Sequence, residues 1–118
     1  MISMREAYEK IGADYDGASV RLMGEEMLAR FALKFLDDES MDKLEAAMAA
    51  GDAEEAFMAV HTLKGVSQNL GFDNLYEPAV VVTEALRDAD TVDGARDGLH
   101  ALRQQYAATM SALREVAE

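Results

Sequence analysis

Two histidines, His61 and His100, are the first candidates for chemistry in this 118-residue chain, which contains no cysteine. The absence of cysteine excludes thiolate zinc sites, iron–sulfur clusters and cysteine nucleophiles. An imidazole in water has a pKa of about 6.5, so an exposed histidine is largely neutral and nucleophilic at neutral pH. The surroundings of each histidine therefore decide which of them is a functional candidate.

His61 shares one predicted helix face with Lys64, Gly65 and Gln68, which follow it by three, four and seven positions. At about 100° per residue, the apolar side chains of this segment form an arc whose centre lies about 160° from His61. The arc consists of Ala56, Ala59, Val60, Leu63, Val66, Ser67 and Leu70. The pattern predicts that His61 points toward solvent.

The neighbours of this imidazole are suited to an incoming phosphoryl group. Lys64 offers a point charge and Gln68 an amide donor for the phosphoryl oxygens. Gly65 costs a helix interior about 1 kcal/mol relative to alanine, and it leaves a gap through which a partner could approach the ring. Phe57 and Met58, predicted to be exposed, would add apolar area for docking. No metal site is expected here.

The charge of the chain is unevenly distributed. The formal net charge of −12 disfavours nucleic acid and anionic membranes as partners, because both are bound mainly through lysine and arginine. The segment Phe57–Phe72 contains no Asp or Glu, although 23 of 118 residues are acidic and about three would be expected there. Its single charge is Lys64. This stretch is therefore the part of the chain that repels an anion least.

The other polar features have ordinary interpretations. No Lys-Gly pair follows His100, which lies about 130° from the apolar centre of its predicted helix and is interpreted as a surface residue. The acidic residues Asp37, Asp38 and Glu39 indicate a solvated helix end rather than a metal site.

A single proline, abundant Ala, Leu, Met and Glu, and apolar residues at helical spacing predict an all-α fold. We expect a single domain over residues 1–118 that folds as an up-down four-helix bundle with a short additional N-terminal helix or helices. Residues 1–17 are expected to form an amphipathic segment that packs on the bundle. The first predicted helix is Met1–Ala13, which the segment Gly12–Gly17 ends, and the second is Ala18–Leu36, with Val20 and Phe31 on an apolar stripe. The third is capped by Ser40 and ends at Gly51, and the fourth begins at Asp52 and ends near Leu70, before Gly71. The fifth is capped by Asp73, with a kink or late start at Pro78, and the last begins at about Val92.

The motif His61-Thr62-Leu63-Lys64-Gly65-Val66-Ser67, followed by Leu70-Gly71, closely resembles the signature of histidine-containing phosphotransfer (HPt) domains. The similarity extends from about Val20 to Leu113. It implies a four-helix bundle in which His61 is phosphorylated through Nε2, taking the group from an aspartate of one receiver domain and passing it to another. Lys64 and Gly65 fall on motif positions, whereas the family glutamine that contacts phosphate often lies on the next helix. Thr83 is its nearest match, so the choice between Gln68 and Thr83 stays open.

The resemblance implies a stoichiometric phosphoryl carrier without kinase activity, whose partners are receiver domains of response regulators or hybrid histidine kinases. Mg²⁺ would come from the receiver, and no other cofactor is expected. We expect a monomer. We also expect a cytoplasmic protein, since neither a signal peptide nor an apolar run of about 20 residues is visible. Two alternatives stay open. The chain could be a phosphate sink or regulatory switch of a response regulator, or an acidic helical adaptor that binds a partner without phosphorylation.

Overall fold

Seven α-helices and no β-strand occur in residues 1–117, the part of the chain that the computed structural model describes. The helices are α1 (Met4–Ile11), α2 (Tyr15–Arg21), α3 (Glu25–Lys34), α4 (Ser40–Ala50), α5 (Ala53–Asn69), α6 (Asp73–Leu86) and α7 (Arg96–Ala117), with 3₁₀ turns at Phe35–Asp37 and Asp93–Ala95. The predicted all-α class is confirmed. Within the same range, none of the helices is long and apolar enough to cross a membrane.

Helices α4 to α7 form the up-down bundle that the sequence predicts. Helix α5 packs against α4 on one side and α6 on the other, and α6 packs against α7. Short links between successive helices favour this antiparallel arrangement. An ion pair between Arg103 of α7 and Glu45 of α4 connects the remaining two neighbours. Helix α5 is therefore flanked by two partners and keeps one face toward solvent.

The core is built from the positions at which apolar residues recur with helical spacing. The α6 positions Leu75, Ala79, Val82 and Leu86 are all buried, as their spacing predicts. The largest fully buried side chains of the other helices and links include Tyr8, Leu28, Leu44, Leu63, Phe72, Leu102 and Leu113. This core keeps the backbone of α5 in place between its neighbours.

The N-terminal helices pack on the end of the bundle. The Ser3 hydroxyl caps α1 by accepting a hydrogen bond from the Glu6 N–H at 3.1 Å, and the Glu6 carboxylate accepts a hydrogen bond from the Ser3 N–H. Helix α1 then lies against α7, where Lys10 pairs with Glu115 at 2.6 Å. The predicted amphipathic helix is thus present, and it ends at Gly12.

The single helix predicted over Ala18–Leu36 is wrong, because the chain turns between α2 and α3. Met23 has φ +65° and Gly24 has φ +128°, and neither value continues a right-handed helix. Val20, predicted on an apolar stripe, is 82% exposed, and Phe31 is 38% exposed. A helical wheel assumes one continuous helix, so it assigns the residues on either side of this turn to faces that they do not share.

Two predicted caps are also wrong. Ser40 is the first residue of α4, and the N-cap position is Glu39, whose side chain makes no capping bond. The Asp38 carboxylate, one residue earlier, accepts hydrogen bonds from the Ser40 N–H at 3.1 Å and hydroxyl at 2.7 Å. Asp73 is the first residue of α6 and makes no capping bond. Helix α6 starts there and runs through Pro78, so the late start considered for this helix does not occur.

Candidate functional site

The helix that carries His61 begins at a strong N-terminal signal. The Asp52 carboxylate accepts a hydrogen bond from the Glu55 N–H at 3.1 Å, as its predicted capping role requires. Glu54 and Glu55 lie in the first turn, where negative charge is favourable beside the positive end of the helix dipole. These contacts set the start of α5, and hence the position of His61 along it.

The same helix ends at Gly71, which has φ +71°. The Gly71 N–H donates to the Gln68 carbonyl at 3.2 Å, and the Phe72 N–H donates to the Ser67 carbonyl at 2.9 Å. These two bonds define a Schellman C-cap. A Cβ at Gly71 would lie 2.5 Å from the Asp14 carbonyl oxygen, so glycine is required both by the backbone angle and by the close approach of the N-terminal segment.

The exposed face of α5 contains the predicted site residues. His61, Gly65 and Gln68 are exposed, and Lys64 is partly exposed. The opposite side is buried, through Ala53, Ala56, Ala59, Val60, Leu63 and Ser67. The orientation predicted for His61 is confirmed, and His61, Lys64, Gly65 and Gln68 lie along one face of a single helix.

The imidazole of His61 stacks on the ring of Phe57, one helical turn earlier. The ring centroids are 5.8 Å apart and the planes differ by 11°. The guanidinium of Arg87, the residue that follows α6, lies over the Phe57 ring with its Cζ 5.3 Å from the centroid. Phe57 is half-buried rather than exposed as predicted, because this arginine and the bundle core cover part of it. Met58 is 57% exposed, in agreement with its prediction.

A carboxylate from the neighbouring helix approaches this face. Glu84 of α6 accepts two hydrogen bonds from Arg87, at 3.2 and 3.1 Å. These bonds and the charge of Arg87 lower the pKa of Glu84, and Lys64 acts in the same direction. Helix α6 therefore adds a carboxylate, paired with an arginine, close enough to Lys64 for their charges to interact.

Gly65 leaves open space beside the imidazole. A Cβ built on Gly65 meets no atom within 4 Å other than those of its own helix turn and chain neighbours. A contact with another helix of the bundle therefore does not explain this glycine. The gap faces outward, on the same side as His61.

Thr83 cannot reach this face. It is fully buried, and its hydroxyl donates a hydrogen bond to the Ala79 carbonyl at 2.7 Å. Gln68 is exposed and lies about 10 Å from His61 along the axis, by the rise of an α-helix. Of the two alternatives that the sequence left open, the geometry favours Gln68.

Surface grooves flank the His61 face on both sides. The groove toward α4 has a volume of about 460 Å³ and is lined mostly by small and apolar residues, among them Met58, Ala59 and Thr62. The depression toward α6 has a volume of about 510 Å³, and its lining includes Phe57, Leu86 and Arg87. Both apolar residues predicted for docking therefore line a concave surface.

Sequence reasoning missed the residues that cover the C-terminal end of α5. Arg21 of α2 donates to the carbonyls of Gln68 at 3.0 Å and Asn69 at 3.3 Å. The buried Tyr8 hydroxyl of α1 donates to the Leu70 carbonyl at 2.7 Å, and burial raises the pKa of Tyr8. Both donors are remote in sequence from α5, so no local pattern could have identified them.

The remaining polar candidates lie apart from this face. His100 is exposed on α7. Asp38 is half-buried and accepts a hydrogen bond from the Tyr106 hydroxyl at 3.0 Å, so it is more constrained than a solvated helix end. Within residues 1–117, no group of three or more His, Asp or Glu side chains is arranged to hold a metal ion.

Comparison with known proteins assigns the chain to a family. No curated protein and no solved structure matches it. The Hpt domain family model matches residues 26–115, which include most of α3 and continue into α7, whereas α1 and α2 lie outside the match. Because this match covers more than half of the 118 residues, the chain belongs to the Hpt domain family and has a phosphotransfer role in two-component phosphorelay signalling.

Proposed function

We propose that His61 carries the phosphoryl group, accepting it from an aspartyl phosphate of one receiver domain and passing it to an aspartate of another. The observation that supports this most strongly is the exposure of His61 beside Lys64 and Gly65 on α5. His100, the second histidine, is exposed without these neighbours.

Each transfer exchanges one phosphorus bond for another. The lone pair of His61 Nε2 attacks phosphorus in line with the bond to the receiver aspartate, a P–N bond forms, and the P–O bond breaks. The aspartate leaves as a carboxylate, and the proton on Nδ1 stays on the ring. In the second half of the cycle, the carboxylate oxygen of the accepting aspartate attacks the same phosphorus and the imidazole leaves as the neutral base.

Lys64 and Gln68 would stabilise the moving group. Negative charge spreads over the three equatorial oxygens during transfer, and a nearby ammonium group and amide donor offset it. Lys64 is one turn from His61, so its long side chain can reach the phosphoryl oxygens. Gln68 lies further along, but helix side chains lean toward the N-terminus, which directs its amide back toward Lys64.

Receiver docking would use the open face of α5 and the two grooves beside it. Met58 and Phe57 offer apolar contact, and the gap at Gly65 admits the receiver's phosphorylated loop. We expect the receiver to belong to a response regulator or a hybrid histidine kinase and to supply Mg²⁺. The protein would act as a monomeric carrier in the cytoplasm, without kinase activity of its own.

The two histidines provide a matched test. The protein would be incubated with a receiver carrying radiolabelled aspartyl phosphate, and the transferred label would be measured together with its stability in acid. We expect acid-labile label in the unaltered protein, no label in His61→Gln, and unchanged label in His100→Gln, because only His61 has the surrounding phosphoryl-binding groups. Label that persists in His61→Gln would contradict the assignment.

The same assay distinguishes a relay from a phosphate sink. Labelled protein would be separated from the donor and mixed with unphosphorylated receivers. Transfer of the label to a second receiver is the expected result. Label that returns to none of a full set of receivers would instead favour a sink or a binding switch.

A further inference from the structure

The imidazole of His61 has an aromatic contact but no polar one. Within residues 1–117, no hydrogen bond to either ring nitrogen accompanies the stack on Phe57. Reactive histidines are commonly oriented by a hydrogen bond from one nitrogen to a carboxylate or carbonyl. Here the imidazole instead stacks on the parallel ring of Phe57.

The helix geometry explains why the two rings meet. Side chains on an α-helix lean toward the N-terminus, so His61 projects over the residue four positions earlier. Parallel, offset rings at this spacing are a favourable arrangement for aromatic groups. His61 remains exposed with this contact in place.

Phe57 is itself held from the neighbouring helix. Arg87 lies over its ring at 5.3 Å, close enough for attraction between the cation and the aromatic face. Glu84, three residues earlier, accepts two hydrogen bonds from this guanidinium. The series Glu84, Arg87, Phe57 and His61, which we term the aromatic brace, connects α6 to the reactive ring.

We propose that Phe57 is a positioning residue for phosphoryl transfer at His61, and that Arg87, the residue that follows α6, holds Phe57 in place. The lone pair of an imidazole nitrogen lies in the plane of the ring, so in-line attack on phosphorus requires a defined ring plane. Stacking on Phe57 limits rotation of the His61 ring before the receiver arrives. This inference rests on the proposed function and assigns Phe57 a role beyond docking.

Positioning and docking predict different kinetics. A docking residue changes the receiver concentration that gives half-maximal transfer. A residue that orients the nucleophile changes the maximal rate, because its effect persists when the receiver is bound. Measuring the rate of labelling over a range of phosphorylated-receiver concentrations separates the two.

The test compares Phe57→Leu, which keeps apolar bulk but removes the flat ring, with Phe57→Tyr, which keeps the ring. We expect Phe57→Leu to lower the maximal transfer rate about three- to tenfold with little change in the half-saturating concentration. Phe57→Tyr should transfer at the maximal rate of the unaltered protein, because it keeps the aromatic ring. In NMR spectra, the His61 ring protons should lose their upfield ring-current shift in Phe57→Leu and keep it in Phe57→Tyr.

The role of Arg87 is tested by a separate pair of arginine variants. Arg87→Gln should lower the maximal rate in the same direction but by a smaller factor, and should partly reduce the His61 ring-current shift. Arg103→Gln removes an arginine that pairs with Glu45 between α4 and α7, and should change neither quantity. Thermal unfolding followed by circular dichroism would set an assay temperature at which all the variants are folded.

The inference is overturned if Phe57→Leu keeps both the maximal rate and the His61 proton shifts of the unaltered protein, or if Phe57→Tyr is as slow as Phe57→Leu. A rise in the half-saturating concentration alone would show that Phe57 acts only in docking. These outcomes differ from failure of the proposed function, in which the unaltered protein itself takes up no label.

Discussion

Gly65 gives α5 an open surface at some cost to the helix. Glycine in a helix interior is less favourable than alanine because it loses more backbone freedom on folding. No contact with another helix compensates for this, since a Cβ at Gly65 would meet nothing within 4 Å. We propose that the benefit of this glycine lies outside the chain, in the approach of a partner to His61.

Gly65→Ala should separate stability from transfer. The added methyl group fits without a clash, so the free energy of unfolding should rise by about 0.5–1 kcal/mol in urea denaturation. Phosphoryl uptake from a receiver should become slower, because the methyl group narrows the gap beside the imidazole. Both quantities can be measured on one preparation.

Gly98→Ala is the control for this change. Gly98 lies in the first turn of α7, where a Cβ would be 3.2 Å from the side chains of Val81 and Val82. We expect a smaller gain in stability, or a loss, with unchanged transfer. Faster transfer in Gly65→Ala would contradict the role of the gap.

Helices α1 and α2 cover the C-terminal end of α5, although they lie outside the family match. The last carbonyls of an α-helix have no partner within the helix. In α5, Arg21 and Tyr8 satisfy three of these terminal carbonyls, those of Gln68, Asn69 and Leu70. The N-terminal helices are therefore part of what keeps α5 stable.

Tyr8→Phe should weaken this attachment without affecting the site. The variant keeps the ring but leaves the buried Leu70 carbonyl without its donor, so we expect a loss of about 1–3 kcal/mol in the free energy of unfolding. Urea denaturation measures the loss, and transfer at a temperature where the variant is folded should be unchanged.

Tyr15→Phe is the matched control. The Tyr15 hydroxyl donates to Glu25 at 3.0 Å in an exposed contact, so its removal should cost well under about 1 kcal/mol. Equal losses for the two variants would show that the bond from Tyr8 to Leu70 has no special weight.

Two tyrosine hydroxyls join distant parts of the molecule, and we expect them to make the fold sensitive to high pH. Tyr8 links α1 to the end of α5, and Tyr106 links α7 to Asp38 before α4. Burial raises the pKa of both hydroxyls, and for Tyr106 the neighbouring Asp38 carboxylate raises it further. The folded protein therefore holds these protons more tightly than the unfolded chain does.

The free energy of unfolding should fall as pH rises beyond about 10, the ordinary pKa of tyrosine. Above that pH the unfolded chain releases the two protons while the folded protein still holds them, so deprotonation favours unfolding. Urea denaturation at about pH 8 and at about pH 11 would measure the decrease. It should be smaller in the double variant Tyr8→Phe/Tyr106→Phe, and an equal decrease in that variant would contradict the explanation.

The sequence was sufficient for the exposed face and the two ends of α5. Successive residues of an α-helix are separated by about 100°, so the exposure of His61, Gly65 and Gln68 follows from their spacing and from the apolar arc opposite. The start of α5 at Asp52 and its end at Gly71 follow from local backbone chemistry. The motif around His61 identified the family for the same reason, because its residues are contiguous.

Features that join two elements required the folded chain. The burial of Thr83, the approach of Glu84 and Arg87 to the His61 face, and the cover that α1 and α2 provide at the end of α5 all depend on how the helices pack. The turn at Met23 and Gly24 was missed because the helical spacing of apolar residues continues across it and does not reveal a change in the direction of the backbone. Side-chain periodicity defines which face of a helix is apolar, whereas the register between packed helices is set by the shapes of both surfaces together.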